Sequence, residues 1–310
     1  MKVSVISTVY NEESSIEEFL YSLLSQSRKP DEIVIVDGGS TDRTVHVIRK
    51  HTQKGAPIKL IVKKGANISQ GRNIAIKNAK YDIIASTDAG CRLDNEWLKN
   101  IMSKFDDSTN VVGGNTIPDP KGEFEKCVVE VIFDKPDNVN EETFLPSSRS
   151  IAFRKSAWKA IGGYPEYLYT AEDTIFDINL RKAGYKFKYA ADAKVYWKVR
   201  SNLRNVFKQH YLYSKGNAEA GLYNLKNFFN RFLNLSGLFA VIIATPFLNI
   251  YLLPSWFIIF LVIYRPYLSC GIRCYNLNKN AKSFLHGLIL KFILDISIFL
   301  GMITGNTKIK

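Results

Sequence analysis

Short apolar runs alternate with amphipathic segments along the first hundred residues, and this alternation restricts the fold more than any other feature. The runs are VSVIST (3–8), EIVIV (32–36), IKLIV (58–62) and YDIIAST (81–87). The segments between them with helical spacing of apolar residues are 12–26, 41–53 and 67–80. Continuous apolar, β-branched runs are typical of strands covered on both faces. Strands that alternate with helices predict right-handed crossovers, and therefore an α/β fold with a mainly parallel sheet flanked by helices.

Acidic residues follow two of these predicted strands. Asp37 ends the second run and Asp88 follows the fourth, and Gly38 and Gly39 come directly after Asp37. Ligands of open parallel sheets bind beyond the carboxyl ends of the strands. A carboxylate there is costly to desolvate unless it meets a donor or a cation. An Asp-Gly turn explains Asp37 equally well, but two acids at equivalent strand ends favour a ligand site.

Residues 110–200 predict a mixed extension of the sheet followed by a helix. The short strand-like segments are 110–116, 149–153, 186–189 and 193–198. A Gly/Pro-rich loop precedes a predicted helix that has Glu172 and Asp173 in its first turn and ends near Gly184. Acids at a helix start are stabilised by the helix dipole. Glu172 and Asp173 therefore have a purely electrostatic interpretation as well as a catalytic one.

The charge of the chain predicts an anionic partner. The formal net charge is +13, and residues 181–231 hold twelve Lys or Arg against two acids, Asp192 and Glu219. This basic stretch lies directly before a very apolar C-terminal region, a placement that favours an anionic membrane surface over nucleic acid. A solvated basic face is the alternative interpretation.

The C-terminal region predicts helices in or on a membrane. Residues 235–264 contain no charged residue, and Pro and Asn interruptions within them favour a hairpin of two short helices at about 235–268 over one long span. A second apolar segment, 283–304, carries Lys291 and Asp295 at i,i+4 spacing and is predicted either to span or to lie in the interface. Flanking basic residues predict a cytoplasmic catalytic part. A buried helical soluble domain is the alternative.

Cysteine and histidine residues predict no metal centre. The four cysteines, at 91, 127, 270 and 274, are scattered, and the four histidines form no cluster in sequence. We interpret the cysteines as structural thiols in a reducing compartment. The N-terminus does not resemble a signal peptide, because its apolar run is short and soon meets Asn11 and two glutamates.

Five stretches carry a resemblance to a known family. They are ISTVYNEE (6–13), PDEIVIVDGGSTDRT (30–44), GRNIAIKNAKYDIIASTDAG (71–90), AFRKSAWKAIGGYPE (152–166) and AEDTIFDINLRKAG (171–184). In this order, over residues 3–190, they resemble the inverting glycosyltransferases of family 2, which have the Rossmann-like GT-A fold. The resemblance implies a nucleotide-sugar donor, and the apolar tail resembles that of members acting on lipid-linked or membrane-associated acceptors.

The resemblance also implies donor-binding residues near the N-terminus. Thr8, Tyr10 and Glu12 lie in the segment that wraps the nucleotide base and ribose. Asp37 matches the acid that contacts the base. The family often has a second acid beside it, whereas this chain has Gly38.

The resemblance places a diphosphate and metal site in the next stretch. Arg72 and Asn73 match a pair near the nucleotide, and Arg72 is a reasonable diphosphate partner. Asp88 matches the first acid of an Asp-x-Asp motif, but Gly90 replaces the second, which in the family mainly contacts the metal. The expectation is Mg²⁺ or Mn²⁺ held by Asp88 through water, with Asp94 or with the diphosphate. Lys and Arg side chains acting without a metal are the alternative.

The resemblance assigns catalysis to the Glu-Asp pair. Asp173 matches the general base that takes the proton of an attacking hydroxyl, with Glu172 beside it. Gln209 and Lys215 lie where the family often has a helix near the product diphosphate, although a structural or lipid-facing role explains them equally.

The predicted protein is therefore a membrane-anchored glycosyltransferase with no nucleic-acid partner. Residues 1–200 form the GT-A catalytic domain, 201–233 basic juxtamembrane helices, and 234–310 a membrane-associated helical region. It is expected at the cell membrane, as a hairpin-anchored or multi-pass protein, with its catalytic domain cytoplasmic. Two alternatives stay open: a polyprenyl-phosphate glycosyltransferase that makes a lipid-monophosphate sugar, and a non-catalytic membrane tether that binds nucleotide.

Overall fold

The computed structural model describes residues 1–133, 139–223, 226, 228–229, 232–233, 236–237 and 253–305. The strands are β1 (Val3–Val9), β2 (Glu32–Asp37), β3 (Ile58–Val62), β4 (Ile83–Ser86), β5 (Cys91–Leu93), β6 (Val111–Asp119), β7 (Ile151–Arg154) and β8 (Phe187–Lys198). The helices are α1 (Ile16–Leu24), α2 (Thr44–Gln53), α3 (Ile68–Asn78), α4 (Trp97–Met102), α5 (Glu123–Ile132), α6 (Lys155–Ala160), α7 (Glu172–Lys182), α8 (Leu203–Glu219), α9 (Leu253–Asn278) and α10 (Ala281–Gly305). These residues group into two compact units, one within 1–119 and 139–198 and one within 120–133 and 199–305.

The first unit is built on a mixed sheet with the strand order β3-β2-β1-β4-β7-β6-β8-β5. Strands β1 to β4 pair in parallel, as predicted. Strand β7 runs antiparallel to both of its neighbours, and β5 runs antiparallel to β8. Strands β6 and β8 pair in parallel with each other, so six of the eight described strands share one direction, and β5 and β7 run against it. The sheet is therefore mixed with most strands parallel, and its antiparallel pairings lie in the extension beyond β4.

The parallel half of the sheet has the predicted elements, with boundaries that shift by a few residues. The largest shift is at the start of α1, which was predicted at residue 12 and lies at Ile16. The start of α2 moves from residue 41 to Thr44, and Ser40 before it donates its hydroxyl to Asp37. β5, α4, α5 and α6 were not predicted from the sequence. β5, α4 and α6 have six residues or fewer, whereas α5 does have apolar residues at helical spacing, at Phe124, Cys127, Val128 and Val131.

A continuous apolar core fixes β1, β2 and β4 against α3 and α7. On the strands the core contains Ile6, Val34, Val36 and Ile84. Phe153, Tyr164 and Phe176 pack between β7 and α7. The rings of Tyr164 and Phe176 stack with centroids 3.9 Å apart. This packing fixes the start of α7 relative to the carboxyl ends of the parallel strands.

The second unit contains α5, α8, α9 and α10. Helix α10 packs through small residues: a Cβ at Gly301 would lie 2.5 Å from the Tyr211 carbonyl oxygen, and one at Gly287 would lie 2.4 Å from the Cys270 carbonyl oxygen. Small residues at such positions let helix backbones approach closely. Midway along α10, Lys291 Nζ lies 2.6 Å from Asp295, so the two charges predicted at i,i+4 spacing are paired.

Helix α10 is the one helix within the described residues that is long and apolar enough to cross a membrane, and an 18-residue stretch of it has a mean hydropathy of 2.0. It matches the predicted segment 283–304. The predicted hairpin at about 235–268 lies mostly outside the described residues, and a multi-pass arrangement has no support within them.

Candidate active site

The carboxyl ends of β2 and β4 lie on either side of the end of β1. The register pairs Val9 with Asp37 on one side and Ile6 with Ser86 on the other. Asp88 follows Ser86 by two residues. The two acids predicted to share one sheet edge therefore flank the same strand end, as the parallel register requires.

Asp37 uses its side chain within its own turn. The buried carboxylate accepts hydrogen bonds from the backbone N–H groups of Gly39 and Ser40, both at 2.9 Å, and from the Ser40 hydroxyl. Gly39 has φ 99°, a backbone conformation that favours glycine. Both oxygens of Asp37 thus stabilise the turn after β2, and its predicted contact with a base stays a prediction.

Hydrogen bonds join the loop after β1 to the turn after β2. The Glu12 N–H donates to Thr44 Oγ1 at 2.8 Å, and Asn11 accepts from the Thr41 N–H at 2.9 Å. Tyr10, in the loop after β1, is 60% exposed, and its ring lies near Gly38 in the turn after β2. The Tyr10 ring is therefore exposed at the strand ends, where the base-binding segment is predicted.

The start of α3 is fixed by a capping box, and this positions Arg72. Asn67 Oδ1 accepts from the Gln70 N–H at 2.9 Å, and Gln70 Oε1 accepts from the Asn67 N–H at 3.1 Å. The next residue, Gly71, has no room for a side chain, since a Cβ there would lie 2.6 Å from Thr8 Cγ2. The helix therefore lies directly against the end of β1 and directs Arg72 toward the strand ends.

Arg72 bridges two acids that belong to different parts of the chain. Its Nη2 donates to Asp88 Oδ1 at 2.9 Å, and its Nη1 donates to Glu172 Oε1 at 2.6 Å. The Arg72 side chain is 2% exposed and that of Glu172 is 8% exposed. The bridge joins the end of β4 to the first turn of α7, and it brings three of the predicted site residues together.

Burial and charge act in opposite directions at this bridge. Burial alone lowers the pKa of Arg72, but Asp88 and Glu172 outweigh it and raise that pKa. Burial also raises the pKa of Glu172, Arg72 opposes this, and the neighbouring Asp173 raises it further. A buried acid and base of this kind stabilise each other only as a pair.

Asn73 organises a loop instead of facing the strand ends. Its side-chain N–H groups donate to the Tyr164 carbonyl oxygen and to Glu166, both at 2.9 Å. Its oxygen accepts from Trp158 Nε1 at 3.0 Å and from the Tyr164 N–H at 2.9 Å. All of its hydrogen-bonding capacity is used, so the predicted nucleotide contact of Asn73 stays a prediction that the geometry does not favour.

Asp173 lies partly exposed in the first turn of α7, beside Glu172. The preceding residue, Ala171, has φ 65°, which is uncommon for a residue with a side chain. Asp173 Oδ1 accepts from the Thr174 N–H at 2.8 Å. Asp173 is thus a carboxylate on a helix start beside the Arg72 bridge, and its role as the general base stays a prediction.

Arg149 was not identified in the sequence analysis, although it belongs to this cluster. Its Nε lies 3.7 Å from Asp88 Oδ2, and its guanidinium lies over the Trp197 ring at 5.5 Å. Asp88 is therefore held between Arg72 on one oxygen and Arg149 on the other. The sequence signal was a lone arginine in a Ser-rich loop, with no period to indicate its direction.

The donors around Asp88 do not fit a resident divalent cation. Mg²⁺ and Mn²⁺ at nucleotide sites are held by one or two carboxylates together with phosphate and water oxygens, so at least one carboxylate oxygen must face the ion. Here both oxygens of one carboxylate face guanidinium groups, and Gly90 supplies no second one. Within the described ranges, no group of three or more His, Cys, Asp or Glu is arranged to hold a metal ion. The predicted Mg²⁺ or Mn²⁺ site at Asp88 is therefore not supported by these side chains.

Gln209 and Lys215 both lie on α8 in the second unit. Gln209 donates to the Tyr213 hydroxyl at 3.0 Å, and Lys215 Nζ lies 3.8 Å from Glu219. These contacts within one helix are consistent with the structural interpretation, and a role near the product diphosphate stays a prediction.

Asp177, one helical turn after Asp173, is a second residue that the sequence analysis missed. It is 1% exposed, and neither carboxylate oxygen has a hydrogen-bond partner among the described residues. Burial raises the pKa of Asp177 well above its usual value, Asp173 raises it further, and Arg181 and Arg72 lower it.

We expect Asp177→Asn to change how stability depends on pH. Because the folded-state pKa is raised, wild-type stability falls as the pH rises from the unfolded-state value toward the folded-state one. The variant should unfold at the wild-type temperature near pH 4 and several degrees higher near pH 8, since 1 kcal/mol is about 2–4 °C for a unit of this size. Thermal melts of both proteins, with the exposed Asp192→Asn as control, measure this, and parallel pH profiles would contradict it.

The chain is similar to known glycosyltransferases. The family model of Glycosyl transferase family 2 matches residues 4–162, and that of Glycosyl transferase family group 2 matches residues 124–290. The O-antigen chain rhamnosyltransferase RfbN of Salmonella typhimurium is 27% identical over 68% of this chain and 71% of its own length. The poly(ribitol-phosphate) β-N-acetylglucosaminyltransferase TarS of Staphylococcus aureus is 26% identical over 64% of this chain, but the match spans only 36% of TarS.

Two solved structures share the GT-A fold. The mannosyltransferase PcManGT from Pyrobaculum calidifontis, in complex with GDP-Man and Mn²⁺, matches all of this chain and 88% of its own, with a TM-score of 0.62 and 17% identity. S. aureus TarS 1–349 in complex with UDP-GlcNAc matches 94% of this chain and 91% of its own, with a TM-score of 0.51 and 20% identity. At these identities the likeness shows the fold alone.

Proposed function

Because this chain belongs to glycosyl transferase family 2 and is a glycosyltransferase, we propose that it transfers a sugar with inversion from a nucleotide-sugar donor to a lipid-linked or membrane-proximal acceptor. The transfer would take place at the cytoplasmic face of the cell membrane. One observation carries the catalytic part: Arg72 bridges the acid at the end of β4 to the acid pair at the start of α7. This bridge supports one site shared by donor and general base.

The proposed reaction is a single displacement. The acceptor hydroxyl oxygen attacks the anomeric carbon and forms the new glycosidic bond, while the bond from that carbon to the phosphate oxygen breaks. The electron pair of the broken bond leaves with the nucleoside diphosphate, and the hydroxyl proton passes to the Asp173 carboxylate. Attack from the face opposite the leaving group inverts the anomeric configuration.

Arg72 and Glu172 would position the base in this reaction. The buried bridge fixes the first turn of α7, so that Asp173 is held at a constant distance from the strand ends. A positioned carboxylate needs no reorganisation when the acceptor arrives. The negative charge that develops on the leaving diphosphate is adjacent to the guanidinium groups around Asp88.

The membrane part of the proposal rests on which residues α10 buries. The buried residues are mostly small or polar, including Ser283, Ser297 and Gly301, whereas Leu285 and Ile303 are about half exposed at 54% and 45%. The core helix of a soluble domain would bury its large apolar side chains instead. The reversed pattern supports contact of α10 with lipid, and the basic stretch before it supports an anionic leaflet.

The experiment that tests the function uses membranes from cells expressing the full chain. Labelled UDP-, GDP- and dTDP-sugars are supplied with lipid-linked glycan acceptors, and the extracted lipids are analysed for transferred label. Label in a glycan that survives mild acid is the expected result. Acid-labile label on supplied polyprenyl phosphate would favour the alternative of a lipid-monophosphate sugar, and no release of nucleotide from any donor would overturn the proposal.

We expect charges on the exposed face of α10 to release the protein from membranes. Leu285→Asp combined with Leu300→Asp introduces two acids, each of which costs up to roughly 3 kcal/mol at the centre of a span. The fraction that stays in the membrane pellet after an alkaline carbonate wash should fall several-fold, whereas Asn205→Asp on α8 should leave it unchanged. A wild-type protein that appears in the wash supernatant would contradict the membrane assignment.

A further inference from the structure

The cluster at the end of β4 brings two guanidinium groups to the two oxygens of one carboxylate, Asp88. Arg72 is committed through its two terminal nitrogens, one to Asp88 and one to Glu172. Arg149 adds a second guanidinium on the far side of Asp88, at 3.7 Å. At that separation the contact is an ion pair and not a hydrogen bond.

The two arginines differ in their access to a ligand. The Arg72 side chain is 2% exposed, whereas that of Arg149 is 28% exposed. Arg149 donates from Nη1 to the Ser147 hydroxyl at 3.2 Å and lies over the face of Trp197. A hydroxyl, an aromatic face and a carboxylate thus fix the orientation of a guanidinium that solvent still reaches.

Gly90 supplies no carboxylate beside Asp88, at the position where the family resemblance expects the second acid of a metal-binding motif. A Cβ built at Gly90 meets no atom of the described residues within 4 Å, and Gly90 is exposed and does not have a positive φ. An acidic side chain would therefore fit at this position without strain. Asp88 is therefore a single carboxylate with a guanidinium group facing each of its oxygens.

From this arrangement we propose that Arg149 binds the diphosphate of the nucleotide-sugar and of the departing nucleotide, in the role that a divalent cation would otherwise have. The guanidinium is planar and always charged, and it matches phosphate oxygens with paired N–H donors. In this arrangement Asp88 orients Arg149 and Arg72 instead of binding a metal ion. The inference rests on the proposed function, because it needs a diphosphate-bearing donor.

The test measures binding of nucleoside diphosphates by calorimetry, with nucleoside monophosphates for comparison, in EDTA and in Mn²⁺. Wild-type protein should bind the diphosphate equally in both buffers. Arg149→Gln should weaken diphosphate binding by roughly 10- to 100-fold, the size expected for a lost charge-assisted contact, and should weaken monophosphate binding much less. Arg92→Gln is the matched control, since Arg92 also lies over an aromatic ring of β8, at 4.3 Å from Tyr196, but contacts Glu18 and Asp119 instead of Asp88.

The possible results test the role of Arg149 separately from the proposed glycosyltransferase function. Unchanged diphosphate affinity in Arg149→Gln, or wild-type binding that EDTA abolishes, would overturn the inference while the glycosyltransferase proposal stands. Wild-type protein that binds no nucleoside diphosphate in either buffer would overturn the proposed function itself.

A gain of metal response gives a second, independent test. Gly90→Asp places a second carboxylate two residues from Asp88, in open space, and should make diphosphate binding several-fold tighter in Mn²⁺ than in EDTA. Thermal melts check that the variant is folded. A folded Gly90→Asp protein with identical affinity in the two buffers would contradict the claim that Gly90 is what removes the cation.

Discussion

Asp173→Asn is expected to lower the rate of sugar transfer to a hydroxyl acceptor by about 10²–10⁴-fold, the range that general-base catalysis supplies. The amide keeps the shape of the side chain at the start of α7 but does not accept the hydroxyl proton. Donor binding should change little, because the Arg72 bridge to Asp88 and Glu172 does not involve the Asp173 side chain. Single-turnover transfer and calorimetric binding of the donor, measured on the same preparation, separate the two effects.

The control for this variant is Asp192→Asn, the same change at an exposed position on β8. It should transfer sugar at the wild-type rate. Wild-type transfer by Asp173→Asn to a hydroxyl acceptor would show that the base is a different group. Retained transfer to a polyprenyl phosphate alone would instead indicate an acceptor that is already an anion, where Asp173 only orients.

Arg72→Gln is expected to cost roughly 3–5 kcal/mol of the free energy of unfolding, the usual loss when one partner of a buried ion pair is removed. The change leaves two acids, Asp88 and Glu172, without the group that joins them. Because the pKa of Glu172 is already raised by burial and loses the opposing effect of Arg72, the deficit should shrink as the pH falls from about 8 to about 5. Chemical denaturation at several pH values measures it.

Two further variants make the interpretation of Arg72→Gln specific. Adding Glu172→Gln to it should recover part of the lost stability, because a neutral amide needs no buried cation. Arg43→Gln is the matched control: Arg43 and Glu13 are both exposed and 3.9 Å apart, and such surface pairs contribute about 0–1 kcal/mol. Equal losses from Arg43→Gln and Arg72→Gln would contradict the role of the buried bridge.

The parallel half of the fold was predictable because its signals are local. Each buried strand is a continuous apolar run, and each crossover helix shows its own apolar period, so β1 to β4 and α1 to α3 follow from short windows of sequence. The two strands that run against the others were not predictable in the same way. Strands β5 and β7 have three and four residues, and their direction depends on partners that are distant in the chain.

In the candidate site, too, only the features that depend on residues close together in the chain were predictable. Asp37 and Asp88 were placed at one sheet edge by sequence alone, because parallel register brings the carboxyl ends of neighbouring strands together. The contacts of Asp37 are local, whereas those of Asp88 depend on residues that are distant in the chain. Asp37 turns into its own backbone turn, whereas Asp88 is held between two arginines, one of them from a loop without any periodic signal.

The sequence by itself therefore determined the α/β class, the edge of the sheet where acids gather and the acid pair that opens α7, since all three depend on neighbours within a few residues. Only the tertiary structure decided that Arg72 joins Glu172 across 100 residues of chain and that Arg149 faces Asp88. The physical reason is that a buried charge must find an opposite charge. Which one it finds depends on the packing of the whole unit, and no local pattern records that choice.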